Sequence, residues 1–302
     1  MSLLLALPLM LAQIGPFTPP GGAPVSPLPP ELRDRPQSQN RKPRPQASPP
    51  PAEITAEAPS TGTTECLKHA AADPTAAVDQ ARAWRDGTAD VERAAADLCL
   101  GTALSELQRF GEAEAAFLDG RQASEGAPAL RARLGAMAAN AALATGAAAR
   151  ALGFLDTAKA DLGEARDGPL SADIALDRAR ALVALERLPE ADAALTEART
   201  LAPQSAEAWL LSATLSRRMD KLADAQARIE TAGRLAPADA AAAPEIGLEA
   251  GVIAMLSGRE DAARKSWRSV VATAPRSAAA ESARRYLVQI GDTPAAAPAS
   301  GR

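Results

Sequence analysis

Aromatic side chains are scarce in this chain: of 302 residues, four are Phe, three are Trp and one is Tyr. Strands favour β-branched and aromatic residues, so this scarcity argues against a β-sandwich or barrel. It also leaves too few rings for a platform that stacks bases or sugars. Histidine is scarcer still. His69 is the single one, which excludes sites built from two or more imidazoles, and His69 with the two cysteines, Cys66 and Cys99, matches no zinc spacing. The sequence has no P-loop, no G-x-G-x-x-G on a strand–helix turn, no G-x-S-x-G and no H-E-x-x-H. No catalytic residue, metal or cofactor is therefore expected, and the chain reads as a non-enzyme. Excess positive charge is lacking too. With 33 Lys and Arg against 37 Asp and Glu, the formal net charge is −4, without the basic field a nucleic-acid partner requires.

What is abundant is alanine, 76 residues or about a quarter of the chain, and alanine has the best helix propensity. Most of the 47% hydrophobic content is thus small, and a core made from it demands close helix–helix approach. Asp73-Pro74 offers a cap and a first-turn proline, with Gly87 just past the last periodic residue, which predicts a helix over 74–86. No stretch alternates apolar β-branched residues, so the body is expected to be all-α.

The ends differ in composition from the body. Residues 3–12, LLLALPLMLA, are too short to span a bilayer but fit the apolar region of an export signal over 1–12, with Ala12 before the cut. Lys and Arg are missing ahead of this run, and Met10 stands where a small residue is usual. The expectation is a periplasmic protein with no integral membrane span once the signal is removed; if the segment is not a signal, the protein stays cytoplasmic. Fifteen of the 25 prolines fall in the first 60 residues, so 13–60 reads as an extended, disordered tether. Its basic residues Arg33, Arg35, Arg41, Lys42 and Arg44 are interspersed with Glu31 and Asp34 and read as a solvated linker. The Ala/Pro-rich tail, 292–302, reads as disordered.

Between them, over 61–291, the chain repeats itself. Five segments share one spacing, a small residue, another twelve on, a bulky apolar residue four further and a small or short one three further. They are Gly101, Ala113, Phe117, Gly120; Ala139, Ala151, Leu155, Ala158; Ala179, Ala191, Leu195, Ala198; Ala213, Ala225, Ile229, Ala232; and Gly251, Ala263, Trp267, Val270. Pro203, Pro237 and Pro275 follow the last three. The leading residues lie 38, 40, 34 and 38 apart, one helix pair per unit, with units near 94–127, 132–165, 172–205, 206–239 and 244–277. Antiparallel helices touch closely only where neither carries bulk, so the small positions are the expected contacts within a pair, and the bulky residue is expected to face the next pair. Turns are expected at Phe110-Gly111, Thr145-Gly146, Arg187-Leu188-Pro189, Asp220-Lys221 and Ser257-Gly258. A single pair cannot bury its own apolar face, so pairs must stack into a solenoid.

These residues resemble the tetratricopeptide repeat (TPR) family, most closely Leu100-Gly101, Leu104, Phe110, Ala113 and Phe117 in the first unit, and Trp209, Ala213, Leu222, Ala225, Ile229, Ala232 and Pro237 in the fourth. The resemblance covers about 94–276 and implies a right-handed α-solenoid of about five helix pairs, with 74–86 as a leading helix and Ser277–Ile290 as a cap. It also implies that the first helices line a concave groove holding a peptide or a partner protein. Thr102, Asn140, Arg180, Thr214, Arg217, Arg218 and Val252 are the candidate groove residues, among neighbours such as Leu143, Leu176, Val183, Leu210, Leu248 and Met255. The three arginines suit carboxylates on a ligand. Family members that clamp a chain-terminal carboxylate use Lys and Asn over adjacent units; only Asn140 fits, so that mode is not expected.

If the chain is exported, a disulfide between Cys66 and Cys99 would close a loop of about 33 residues and contribute roughly 3–4 kcal/mol in the chain-entropy model; otherwise both are buried thiols. The leading expectation is an exported scaffold that binds a protein or peptide, with a cell-wall assembly enzyme or subunit, or a self-associating homo-oligomer, as alternatives.

Overall fold

The computed structural model describes residues 61–163, 168–237 and 240–292. The apolar run 3–12, the proline-rich 13–60 and the tail beyond Asp292 lie outside the described residues. Among the described residues there are thirteen α-helices and no strand. A leading pair, α1 (Thr61–Ala72) and α2 (Pro74–Asp86), comes first. Five repeat pairs follow: α3 (Asp90–Glu106) with α4 (Phe110–Ala123), α5 (Pro128–Ala144) with α6 (Ala148–Leu162), α7 (Gly168–Ala184) with α8 (Leu188–Leu201), α9 (Ala206–Arg218) with α10 (Leu222–Leu235), and α11 (Ala243–Leu256) with α12 (Glu260–Thr273). The last helix, α13 (Ala278–Gln289), stands without a second member among the described residues. The architecture is an all-α solenoid.

One backbone device sets the period. Gln108, Gly146, Glu186, Asp220, Gly258 and Gly291, each just past the first helix of a unit, all have φ between 57° and 78°. The N–H of the following residue donates to the carbonyl five residues back, as from Arg109 to Leu104, Lys221 to Ser216 and Arg259 to Ala254, all at 2.9 Å. This left-handed stop satisfies orphan carbonyls and reverses the chain. The first turn is therefore centred on Gln108, and Gly111, expected in that turn, lies instead in the first turn of α4. The same stop follows α13, with Asp292 N–H on Leu287 O at 2.8 Å, so α13 ends as the first helix of each unit does.

Within each pair the size of one residue answers the size of the other. A Cβ on Gly101 would stand 2.3 Å from the Phe117 ring, and one on Gly251 would stand 2.1 Å from the Trp267 ring. Where the first helix carries alanine at this point, Ala139, Ala179 or Ala213, the second helix presents Leu155, Leu195 or Ile229, all buried. Phe117 and Trp267 thus lie over the small residue of their own pair rather than facing only the next one, because antiparallel packing brings the bulky position directly across from it. A second contact point repeats the rule. Gly135 faces Ala158, Gly247 faces Val270, and Gly120 faces Asp97.

The leading pair is joined by one residue, Asp73, whose carboxylate accepts from Ala76 N–H at 3.0 Å and caps α2. Helix α2 spans the expected 74–86. Cys66 in α1 and Cys99 in α3 form a disulfide with a Cα–Cα distance of 6.0 Å.

Candidate partner-binding groove

Helices α3, α5, α7, α9, α11 and α13 are called inner here and their partners outer. Neighbouring inner helices touch, α3 with α5, α5 with α7, α9 with α11 and α11 with α13. Neighbouring outer helices stand further apart and are tied by long side chains. Arg85 reaches Asp119 at 2.7 Å, Arg121 reaches Asp161 at 2.7 Å, Lys159 reaches Glu197 at 2.7 Å, Arg228 reaches Asp192 at 2.9 Å, and Arg259 bonds Gln226. The closer spacing of the inner helices makes their face the concave one, and it is the surface a groove occupant would meet.

The candidate residues divide into two stretches on this face. Across α5, α7 and α9 the polar groups bond one another. Asn140 Nδ2 donates to Asp177 Oδ2 at 2.9 Å; Arg180 donates both to Asp177 and to Glu207 of the next unit. Asp177 is buried, and burial pushes its carboxyl above the usual range against the opposing pull of Arg180 and the Asn140 bond. Asp173, beside it, is raised first by burial and then by the charges of Asp177 and Glu207. Arg217 Nε lies 2.6 Å from Glu249 Oε1, and Arg218 lies 3.1 Å from Glu186. None of the three arginines is thus an empty fork: each already holds a carboxylate of this chain, and a ligand carboxylate would have to displace it. Apart from Asp177, one turn before Arg180 on α7, each partner lies on a neighbouring helix pair, where helical phase alone does not place it. The signal of this pairing is an acidic residue 32 positions from Arg217 and from Arg218.

Across α9 and α11 apolar residues flank the Arg217–Glu249 pair. Leu210, Leu248, Val252 and Met255 are half-buried, packed from below on the cores of the fourth and fifth units, and Leu256 at the end of α11 is 55% exposed. Residues 248, 252 and 255 share one helical stripe. Helix α11 is apolar on most of its surface apart from Glu245 and Glu249, and it packs against α9, α10, α12 and α13. Thr214 lies half-buried on α9 beside Leu210. At the other end, Thr102 donates to Leu98 O at 2.8 Å within α3, so its hydroxyl hydrogen is spent on the backbone.

Among the described residues no group of three or more His, Cys, Asp or Glu has a metal-binding arrangement, and no helix is long and apolar enough to cross a membrane. The buried carboxylate least satisfied is Asp97, fully buried between α2, α3 and α4. Arg85 Nε lies 3.0 Å from it and Arg93 3.9 Å, yet neither of its oxygens receives a well-directed hydrogen bond. Burial, outweighing the two guanidinium charges, pushes its pKa from 3.8 up to about 6. Arg85 ties Asp97 to α2, whereas Arg93 lies one turn away on its own helix.

No protein-family model matches the chain, and no curated protein matches it in sequence. Solved structures do match in fold. The type IV pilus biogenesis factor PilW is similar over 74% of this chain and 98% of its own, with a TM-score of 0.59 and 16% identity. PilF of Pseudomonas aeruginosa is similar over 74% and 99%, with a TM-score of 0.55 and 12% identity. A thermophilic TPR protein from Thermus thermophilus is similar over 64% and 97%, with a TM-score of 0.51 and 21% identity. The fold is that of TPR proteins.

Proposed function

We propose that this TPR-fold chain is a non-catalytic interaction scaffold that holds an apolar segment of a partner protein against the inner face of α9 and α11. The observation that carries this reading is the contrast along the groove. Where α5, α7 and α9 meet, the polar groups satisfy one another, whereas on α9 and α11 Leu210, Leu248, Val252 and Met255 form an apolar stripe that the fold covers only in part. Burying such a stripe gains about 25 cal/mol per Å² removed from water, a gain the free protein forgoes.

A photo-crosslinking residue at Thr214 or Val252 tests this, with exposed Lys265 on α12 as the control. Adducts with a cellular partner are expected from the groove positions and absent from Lys265; equal labelling from all three removes the groove as the binding face.

We place the scaffold in the periplasm. The apolar run 3–12 and the closed Cys66–Cys99 bridge support this, since disulfides persist in oxidising compartments. Amino-terminal sequencing of the mature protein is expected to begin after Ala12; an intact Met1 together with two reactive thiols would place the protein in the cytoplasm.

A further inference from the structure

We propose that the docking of α1 on α3 is oxidation-dependent and holds only while the Cys66–Cys99 disulfide is closed, whereas α2 stays docked in both redox states. The two helices of the leading pair are held by different forces. Of the described side chains in α1, only those of Thr63, Cys66 and Ala70 are buried. Two small apolar groups and a threonine remove little surface from water, and an isolated helix of twelve residues is marginal. Its polar tie to α2, His69 Nδ1 to Gln80 Oε1 at 2.6 Å, is exposed. The disulfide supplies what packing does not, by fixing α1 to α3 across 33 residues.

Helix α2 has its own anchors. Ala77, Val78 and Ala81 are buried, Trp84 packs on the same core, and Arg85 reaches both Asp97 on α3 and Asp119 on α4. The core neighbours of α2 include the two cysteines, but they also include Leu98, Leu100, Ala103 and Ala113, and the two ion pairs involve neither sulfur. Opening the bridge therefore frees one helix and leaves the other.

The step is thiol–disulfide exchange with a dithiol reductant. A reductant thiolate bonds to one cysteine sulfur and expels the other as a thiolate. The second reductant thiol, deprotonated, then displaces the remaining cysteine, so the reductant becomes a disulfide and both cysteines end as thiols after taking up protons. Cys66 and Cys99 are 1% and 0% exposed, so a transient local opening around the still-closed bridge must admit the reductant, and α1 undocks once the bridge is broken. Once free, it uncovers Cys99 on α3, the helix that carries Thr102. Only this consequence for the groove rests on the scaffold reading; the docking of α1 is measurable with no partner present.

Hydrogen exchange on the full chain, with and without dithiothreitol, is the test. Reduction is expected to speed exchange at least tenfold in 61–72 while 74–86 and α3 to α13 change less than twofold. The double variant Cys66→Ala with Cys99→Ala should show the reduced pattern without reductant and retain its helical circular dichroism. Unchanged protection in 61–72, or protection lost equally over 74–86, overturns the proposal, as does global unfolding of either the reduced protein or the variant. Failure here leaves the groove reading standing, and failure of groove crosslinking leaves the exchange pattern standing.

Discussion

The outermost repeat pairs solve the same packing problem as the three central ones with different residues. The first and fifth pairs set an aromatic ring on glycine, Phe117 on Gly101 and Trp267 on Gly251, where the central pairs set Leu155, Leu195 and Ile229 against alanine. The outer pairs also stand nearer the ends of the stack. Among the described residues only α1 and α2 lie beyond the first, and only α13 beyond the fifth. In a solenoid, stability sums over units and the interfaces between them. A ring brings more buried area to a unit with few units beyond it, and glycine makes room for it. At the carboxyl end the ring does more still: Trp267 donates to Leu248 O at 3.1 Å and lies 5.1 Å from the Tyr286 ring. Trp267→Ala should therefore cost about 3–5 kcal/mol, measured by denaturant unfolding. Leu195→Ala in the central third pair should cost about 2–5 kcal/mol and should leave α13 protected from hydrogen exchange, where Trp267→Ala should not.

The first pair departs from the central ones at its second contact point as well. Asp97 faces Gly120, where the corresponding residues of the third pair are Ala175 and Ala198. With its folded pKa raised from 3.8 to about 6, native Asp97 holds a proton that the unfolded chain has released between about pH 4 and pH 6. It therefore favours folding below that window, and this contribution is lost as pH rises through it. Asp97→Asn should flatten this segment of the stability profile and raise stability at pH 7 by up to about 3 kcal/mol. Arg85 keeps Asp119 as a partner in that variant. The check is urea unfolding at pH 4 and pH 7; a variant less stable than the parent at pH 7 would mean that the ion pairs outweigh burial.

The size rule itself can be broken and repaired. Gly101→Ala places a Cβ 2.3 Å from the Phe117 ring and should cost about 1–3 kcal/mol. Adding Phe117→Leu recreates the central Ala–Leu pairing and should recover part of the loss, a coupling that a double-mutant cycle reads directly. In a central pair, Ala191→Leu should overpack its fully buried site by a similar amount.

These contacts mark how far the sequence could be read. The period, the helix pairs and the small positions were legible because each follows from spacing within one unit. The direction of Phe117 was not, since the same pattern serves a residue facing its own pair or the next. The arginines were misleading for a related reason. Arg180, Arg217 and Arg218 sit at groove positions by helical phase, but Glu207, Glu249 and Glu186 reach them only once the stacking fixes which turn lies beside which. The thinness of α1 was visible in its composition, with Leu67 its one large aliphatic residue. That it nonetheless docks is a matter of the disulfide. The apolar stripe of α11 was seen residue by residue, but its contrast with the self-paired polar stretch required the structure.

The smallest effect separates the two faces rather than the two sets of units. Lys159 and Glu197 join α6 to α8 at 2.7 Å with both side chains substantially exposed. Their pairing competes with water, is screened by salt and ties down a long side chain, so Lys159→Ala should cost no more than about 0.2–1 kcal/mol, less at high ionic strength. Arg217, joined to Glu249 on the inner face, is 24% exposed and its partner 13%. Less screening reaches that pair, and Arg217→Ala would strand the glutamate in a half-buried site. The inner substitution should therefore cost more than the outer one, and raising salt should shrink the outer loss more than the inner. Equal losses with equal salt dependence would mean that the outer pairs help set the curvature of the solenoid as much as the inner ones do.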